Sequence, residues 1–239
     1  MAHLTLTRAS TILANQMTIH VVMPDTLPDQ PLRTLWLFHG LGDDGSGWLR
    51  KTMIEPLAIK AGIAVVMPAM ARSFYRNSPG ALYGDYLEQE VFAGMRQLLP
   101  LSRRSEDNFI AGNSMGGFGA MQYACAHPEQ FSAVAALSPV CDLSVVPTIM
   151  PDYQHVFEAP IQDDLLEQTF RHSDLLALKQ LRWYHGEGLD DFMKADNDRF
   201  NIFLTQTLGL NVTYRTTPGS HDWFYWAQAI TDVFAWLFD

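Results

Sequence analysis

Seven mostly unbroken runs of apolar residues predict the strands of one sheet. Such runs are typical of strands covered by helices on both faces, whereas a half-exposed strand alternates apolar and polar residues. The predicted strands are Met17–Pro24, Thr34–Gly40, Gly62–Ala69, Asn108–Gly112, Ser132–Pro139, Leu181–Gly186 and Asn211–Gly219.

Segments with a helical spacing of apolar residues lie between these runs. In the last segment Trp226, Ile230, Val233 and Leu237 fall on one face of a helix. The predicted helices are Tyr86–Leu99, Gly117–Ala126, Asn197–Leu208 and Trp223–Phe238. Strands that alternate with helices favour a mostly parallel sheet with right-handed crossovers, so we expect a single α/β domain over residues 1–239.

The segment between Pro139 and Leu181 breaks this alternation. It holds three further prolines and only short helical pieces, such as Asp163–Phe170. A loop this long inside a compact domain is usually functional. Residues 140–180 are therefore expected to form an insert or lid, and the alternative is a surface insertion without a functional role.

The composition excludes several classes of protein. The chain has 239 residues, of which 48% are apolar and 18% charged, and its formal net charge is −10. A buried core is expected, while an acidic chain without basic clusters does not favour nucleic-acid binding. No apolar run approaches a membrane span, and the N-terminal segment lacks the pattern of a secretory signal, so a cytoplasmic protein is expected. The two cysteines have no spacing typical of a disulfide framework or a metal site.

A glycine-rich turn links the strand at Asn108–Gly112 to the helix that follows it. Its sequence, Gly-Asn-Ser-Met-Gly-Gly over residues 112–117, contains the pattern Gly-x-Ser-x-Gly. Small residues allow the sharp strand-to-helix turn that exposes a nucleophilic serine, and the helix N-terminus favours developing negative charge. Ser114 is therefore the predicted nucleophile, with an inert serine in a tight turn as the alternative.

A serine nucleophile needs a base and a carboxylate that orients the base. After a strand–turn–helix of this kind the acid comes next along the chain and the histidine follows it. His221 lies in the loop between the last predicted strand and the last helix, so it is the expected base. The acid should follow the penultimate strand, where the pattern leaves Asp190 and Asp191 open.

Two backbone N–H groups are expected to bind the oxyanion of the reaction. One belongs to Met115, directly after the serine, and the other lies near Leu41, in the loop after the strand at Thr34–Gly40. His39 in the same loop is expected to have a structural role.

Several blocks of the sequence resemble the esterase D and tributyrin-esterase group of α/β hydrolases. In chain order they are HGLGDDGSGWLRKTMIEPLA, VVMPAMARSFY, GNSMGGFGAM, GLDDFMKADN and GSHDWFYW. The resemblance extends over most of the chain. This group of small bacterial acyl esterases includes tributyrin, acetyl and cinnamoyl (feruloyl) esterases, and S-formylglutathione hydrolases and mycolyl transferases are more distant relatives.

The resemblance implies an α/β-hydrolase fold with the 140–180 insert over the active site. It implies that Ser114 is the nucleophile, His221 the base, and the N–H groups of Leu41 and Met115 the oxyanion donors. Its pattern of glycine, two residues, aspartate and phenylalanine selects Asp191 over Asp190. The chain departs from the group at Glu187-Gly188, where many members have Cys-Gly.

The implied activity is that of a serine carboxylesterase acting on short-chain acyl or aryl esters without a metal or organic cofactor. The rival activities are those of an S-formylglutathione hydrolase-type thioesterase and an acyltransferase, and the rival class is a non-catalytic binding module. Trp48, Met150, Tyr153 and Phe157 are candidates for a substrate pocket, although the three insert residues could equally pack the insert onto the core. The sequence predicts no oligomeric state.

Overall fold

The computed structural model describes residues 1–26 and 28–238. Within these residues eight strands form one sheet, which we number in chain order. They are β1 (Ala2–Ser10), β2 (Asn15–Met23), β3 (Thr34–Phe38), β4 (Ala64–Pro68), β5 (Asn108–Asn113), β6 (Ala133–Leu137), β7 (Arg182–Gly188) and β8 (Val212–Thr217). A small separate hairpin pairs Asn77–Ser78 with Ala81–Leu82.

The order of strands across the sheet is β1-β2-β4-β3-β5-β6-β7-β8. The pairs β1–β2 and β2–β4 are antiparallel, and every pair from β4 to β8 is parallel. The prediction of a mostly parallel sheet is confirmed. Strand β1 was not predicted because its side chains alternate between half-buried and exposed positions, so it lacks an unbroken apolar run.

Helices cover both faces of this sheet. They are α1 (Ser46–Lys51), α2 (Ile54–Ala61), α3 (Ala93–Leu98), α4 (Met115–Ala126), α5 (Leu165–His172), α6 (Lys194–Ile202) and α7 (Trp223–Phe238). Wider helical turns extend α3 backwards over Tyr86–Phe92 and α6 forwards over Phe203–Thr207, and a short helix at Tyr83–Asp85 precedes the former. The shorter helices are Ser105–Asp107, Pro128–Gln130, Leu143–Val145, Val146–Ile149, Tyr153–His155 and Leu175–Leu178.

Alternate residues of the central strands enter two separate core layers. In β3, Trp36 and Phe38 pack in the layer that contains α4, while Leu35 and Leu37 pack in the layer that contains α2 and α7. Because both faces are buried, every residue of β3 is apolar or buried. This double burial explains why unbroken apolar runs located these strands.

The 140–180 insert packs against the α4 face of the sheet. Val146, Phe157, Leu166 and Phe170 are buried in the same core layer as α4. Most of the insert's large apolar side chains therefore stabilise the fold. No helix in residues 1–26 or 28–238 is long and apolar enough to cross a membrane.

Candidate active site

The turn between β5 and α4 holds Ser114 in an unusual backbone conformation. Ser114 has φ 53° and ψ −118°, a region that residues with a side chain rarely occupy. Two glycines permit the turn. A Cβ on Gly112 would lie 2.4 Å from the backbone of Gly116, and a Cβ on Gly116 would lie 2.5 Å from the carbonyl oxygen of Phe38. The strand and the helix can approach this closely because neither glycine has a side chain.

Three loops bring Ser114, His221 and Asp191 into one hydrogen-bonded row. His221 Nε2 lies 2.9 Å from Ser114 Oγ, and His221 Nδ1 lies 2.8 Å from Asp191 Oδ2. Ser114 follows β5, Asp191 follows β7, and His221 lies between β8 and α7. Parallel strands end at the same edge of a sheet, which is why residues so distant in sequence meet here. The nitrogen near Ser114 can accept the hydroxyl proton, while the other donates to the carboxylate.

The structure distinguishes the two aspartates that the pattern left open. Asp190 is exposed, whereas the carboxylate of Asp191 is fully buried and also accepts a hydrogen bond of 2.9 Å from the Met193 N–H group. Burial alone would raise the pKa of Asp191. The hydrogen bonds from His221 and from Met193 N–H outweigh burial, so the pKa lies below its ordinary value. Asp191 is therefore ionised beside the imidazole at neutral pH.

The N–H groups of Leu41 and Met115 are available beside Ser114. Met115 is the first residue of α4, so its N–H group has no acceptor within the helix. Among the described residues no acceptor is bonded to the Leu41 N–H group. Leu41 lines the same cavity as Ser114, and Met115 follows Ser114 directly in the chain. The positive end of the α4 dipole adds to the field of these N–H groups.

His39 is a structural residue of the loop that carries Leu41. Its Nδ1–H group donates to the carbonyl of Gly40 at 2.8 Å, and its Nε2 accepts the N–H group of Met70 at 2.9 Å. The side chain is fully buried, and burial lowers its pKa below the ordinary value. A neutral His39 therefore fixes the Gly40 peptide that precedes the Leu41 N–H group.

A cavity of about 530 Å³ opens above Ser114 and His221. Its other walls combine the Gly40–Asp43 loop with large apolar side chains. These are Ile149, Phe192, Trp223 and Trp226. Asp43 ties the loop to α7, because its carboxylate accepts the Trp223 Nε1–H group at 3.0 Å and pairs with the Lys51 ammonium at 3.0 Å.

The four candidate pocket residues lie away from this cavity. Trp48 is fully buried, donates to the Phe38 carbonyl at 3.1 Å and packs edge-on behind Trp223, so it supports the cavity wall without reaching a substrate. The assignment of Trp48 to the pocket is corrected accordingly. The positions of the three insert residues fit the alternative interpretation, in which they pack the insert onto the core. Phe157 packs against Phe74, Met150 lines a separate cavity, and Tyr153 is half-buried against the core.

Phe192, Trp223 and Trp226 line the cavity but were not among the candidate pocket residues from the sequence. Trp226 was assigned to the buried face of the last helix, and Trp223 begins that same helix. Phe192 follows Asp191 directly, and its ring lies 5.0 Å from that of His221. Proximity to the predicted triad residues in sequence is the signal that could have found both Phe192 and Trp223. Within the described part of the chain no group of three His, Cys, Asp or Glu side chains is arranged to hold a metal ion.

Glu187 is a buried carboxyl group near Asp191. Its side chain is fully buried near the end of β7, and neither carboxyl oxygen accepts a hydrogen bond from the described residues. Burial, together with the neighbouring Asp191 carboxylate, raises its pKa to about 10. Glu187 is thus a neutral acid at physiological pH.

We expect Glu187 to make the folded protein less stable as the pH rises. Between the ordinary value of 4.5 and about 10, the native protein keeps a proton that the unfolded chain has released. The free energy of unfolding therefore falls with pH, by at most about 1.4 kcal/mol per pH unit for this one group. Glu187→Gln carries no such proton. Urea unfolding from about pH 5 to about pH 9 should show that the free energy of unfolding of the variant increases relative to that of the wild type as the pH rises.

The same substitution at the exposed Glu88 is the control for this experiment. Its free energy of unfolding should follow that of the wild type at every pH. Parallel curves for Glu187→Gln and the wild type would contradict a protonated Glu187.

Comparison with known proteins identifies the family. Residues 10–237 match the model of the Esterase family. An acetyl esterase from Caldicellulosiruptor saccharolyticus is 28% identical over 95% of each chain. An S-formylglutathione hydrolase from Paracoccus denitrificans is 23% identical and aligns with 92% of this chain and 87% of its own.

Solved structures show the same relationship. FphF, a fluorophosphonate-binding serine hydrolase of Staphylococcus aureus solved with substrate bound, has a TM-score of 0.90 and 28% identity, covering 100% of this chain and 98% of its own. A ferulic acid esterase has a TM-score of 0.88 at 21% identity over 99% of this chain and 97% of its own, which shows a shared fold. Because the family match extends over nearly the whole chain, the protein belongs to the Esterase family and is a serine carboxylesterase with the α/β-hydrolase fold.

Proposed function

We propose that the protein hydrolyses small acyl esters by two-step acyl transfer through Ser114. The observation that carries this proposal is the row of hydrogen bonds from Ser114 through His221 to Asp191 at the base of a cavity. A serine hydroxyl becomes a strong nucleophile when an oriented imidazole accepts its proton.

The first step forms an acyl-enzyme. Ser114 Oγ attacks the ester carbonyl while His221 Nε2 takes the hydroxyl proton. The N–H groups of Leu41 and Met115 donate to the oxygen that becomes negative. The carbon–oxygen bond to the alcohol then breaks, and the alcohol leaves with the proton from His221.

The second step releases the acid. Water enters the cavity, loses a proton to His221 and attacks the acyl carbon. The same two N–H groups stabilise the second tetrahedral intermediate, and Ser114 leaves with the proton. Asp191 stays ionised throughout and stabilises the imidazolium that forms in each step.

Short-chain acyl esters are the substrates that we favour. Large apolar side chains wall the cavity, namely Ile149, Phe192, Trp223 and Trp226, so it suits an apolar group. The relationship to an acetyl esterase along 95% of the chain supports the same choice. An aryl group against the two tryptophans is the alternative within this class.

A thioesterase that acts on S-formylglutathione is the second candidate. The relationship to an S-formylglutathione hydrolase over 92% of the chain favours it. The chemistry at Ser114 would be the same, with a thiol as the leaving group. An acyltransferase would differ only in the acceptor that replaces water, whereas a non-catalytic binding module would not need the contacts between Ser114, His221 and Asp191. The cytoplasmic location and the lack of a nucleic-acid partner or cofactor stay predictions from the sequence.

A substrate panel separates these activities. We expect p-nitrophenyl acetate and butyrate to give the highest kcat/KM, with a loss of roughly tenfold or more for the decanoate, because the relationship to an acetyl esterase favours short acyl groups. Methyl ferulate and S-formylglutathione belong in the same panel. Faster release of formate from the thioester than of any alcohol from the esters would establish the second candidate, and the Ser114→Ala variant measures background hydrolysis.

A further inference from the structure

The N–H group of Leu41 belongs to a tight turn beside Ser114. The turn runs from Gly40 to Asp43, and the Gly40 carbonyl accepts the Asp43 N–H group at 3.3 Å. Gly42 has φ 82°, the conformation that the third residue of a type II turn requires. The hydrogen bond of such a turn uses the N–H group of its fourth residue, which leaves the Leu41 N–H group free to donate into the cavity.

The first residue of this turn lies directly against the nucleophile. A Cβ on Gly40 would lie 3.4 Å from the Cβ atom of Ser114. A shift of the turn would therefore move the Leu41 N–H group relative to the oxygen that becomes negative. A misplacement of about 1 Å in an active site can lower the rate about 100-fold, so the position of the turn matters for the reaction.

The last residue of the turn is held by its side chain. Asp43 Oδ2 accepts the Nε1–H group of Trp223 at 3.0 Å, and Oδ1 pairs with the Lys51 ammonium at 3.0 Å. Trp223 begins α7 and Lys51 ends α1, so the carboxylate links the turn to two helices. A Cβ on Gly47 would lie 2.9 Å from the Trp223 ring and 3.2 Å from Asp43 Oδ1. Helix α1 can approach this contact closely because residue 47 has no side chain.

We propose that Asp43 is a positioning residue for the oxyanion site: by accepting the Trp223 Nε1–H group it fixes the turn that presents the Leu41 N–H group. The inference rests on the proposed roles of Ser114 and Leu41. Asp43 lines the same cavity, where an unbalanced carboxylate would repel the oxyanion. The Lys51 ammonium balances that charge while the hydrogen bond to Trp223 holds the turn.

Two substitutions separate the hydrogen bond from the charge. Asp43→Leu keeps a similar volume but has no acceptor for Trp223. We expect kcat per active site to fall about 10-fold to 100-fold with KM within about threefold, because a displaced donor loses part of the roughly 100-fold to 1000-fold that an oxyanion donor contributes. Asp43→Asn also removes the charge, but its amide oxygen can accept the Trp223 N–H group. Its kcat should be at least about fivefold above that of Asp43→Leu.

Asp44→Leu is the matched control, because it makes the same change at the next residue of the loop. Asp44 is exposed and absent from the cavity walls, and among the described residues its carboxylate accepts hydrogen bonds from Ser46 alone. Its kcat should stay within about threefold of the wild type. Equal losses in Asp43→Leu and Asp44→Leu would overturn the proposal, and so would equal losses in Asp43→Leu and Asp43→Asn.

The donor of the hydrogen bond provides a second test. Trp223→Phe removes the Nε1–H group and keeps an aromatic side chain, so kcat should fall about tenfold. In the Asp43→Leu background the same substitution should cost at least about fivefold less, because the bond is already absent. Additive losses would overturn the proposal. If Asp43→Leu does not fold, a wild-type kcat in Trp223→Phe would overturn it instead.

An alkyl trifluoromethyl ketone tests the oxyanion site itself. Ser114 Oγ bonds to the ketone carbon, the hydroxyl proton passes to His221, and the carbonyl oxygen takes the negative charge that the two N–H groups stabilise. The dissociation constant, measured as protection of Ser114 from fluorophosphonate labelling, should rise in Asp43→Leu by about the factor by which kcat falls. An unchanged constant beside a reduced kcat would place the defect outside the oxyanion site and overturn the proposal.

This measurement needs no turnover of an ester, and complete labelling by the fluorophosphonate counts the folded active sites. If no ester in the panel is hydrolysed but the ketone binds Asp43→Leu about 10-fold to 100-fold more weakly than the wild type, the substrate proposal fails and the positioning role stands.

Discussion

Replacing Ser114 with alanine should lower kcat for ester hydrolysis by about 10⁴-fold to 10⁶-fold while the protein stays folded. The substitution removes the oxygen that attacks the carbonyl, and no other hydroxyl of the described residues is hydrogen-bonded to His221. The remaining rate is that of direct attack by water on an ester that the cavity and the two N–H groups still bind. The loss should be in kcat, because the cavity walls that hold the substrate are unchanged.

Steady-state kinetics on p-nitrophenyl acetate, with active sites counted by fluorophosphonate labelling, measures this loss. Ser144→Ala is the matched control, because Ser144 is exposed in the insert and its hydroxyl makes no hydrogen bond with the described residues, while its N–H group donates to Asp142. The control should have wild-type activity and full labelling. A Ser114→Ala protein that kept more than about one per cent of the wild-type kcat would refute the acyl-enzyme mechanism.

Most strands of the sheet could be predicted from the sequence, because burial on both faces of a strand leaves an unbroken apolar run. The unbroken run at Thr34–Gly40 corresponds to β3, and the run at Asn108–Gly112 corresponds to β5. Helices α1 and α2 were not predicted, since both are short and α2 contains Pro56 in its first turn. Such helices are stabilised by packing against the sheet more than by their own sequence.

Only part of the candidate site could be predicted from the sequence. The strand–glycine–serine–helix pattern located Ser114 because the backbone of that turn admits few sequences. The backbone does not restrict the residues of the cavity walls in this way, so no sequence pattern marks them. Trp226 belongs to the apolar face of α7, and which turn of that face borders the cavity depends on how the helix packs on the sheet. The choice of Asp191 over Asp190 likewise depends on which side chain turns inward after β7, a tertiary property that neighbouring aspartates in a sequence do not encode.

Replacing Asp191 with asparagine tests the same row of groups from its other end, and it should lower kcat about 10⁴-fold at neutral pH. The carboxylate now accepts the Nδ1–H group of His221 at 2.8 Å, which leaves Nε2 free to accept the Ser114 proton. An amide can present its NH₂ group to Nδ1 instead, and the imidazole then carries its proton on Nε2. In that tautomer His221 donates to Ser114 and cannot act as its base.

Asp190→Asn is the matched control for this experiment, because it makes the same change one residue earlier on an exposed side chain. Its kcat should stay within about twofold of the wild type, since a solvated carboxylate contributes little to a buried site. The fluorophosphonate labelling rate should follow kcat in both variants, as both depend on removal of the Ser114 proton. A large loss in Asp190→Asn together with a small loss in Asp191→Asn would reverse the assignment of the acid, and small losses in both would mean that His221 is oriented without a carboxylate.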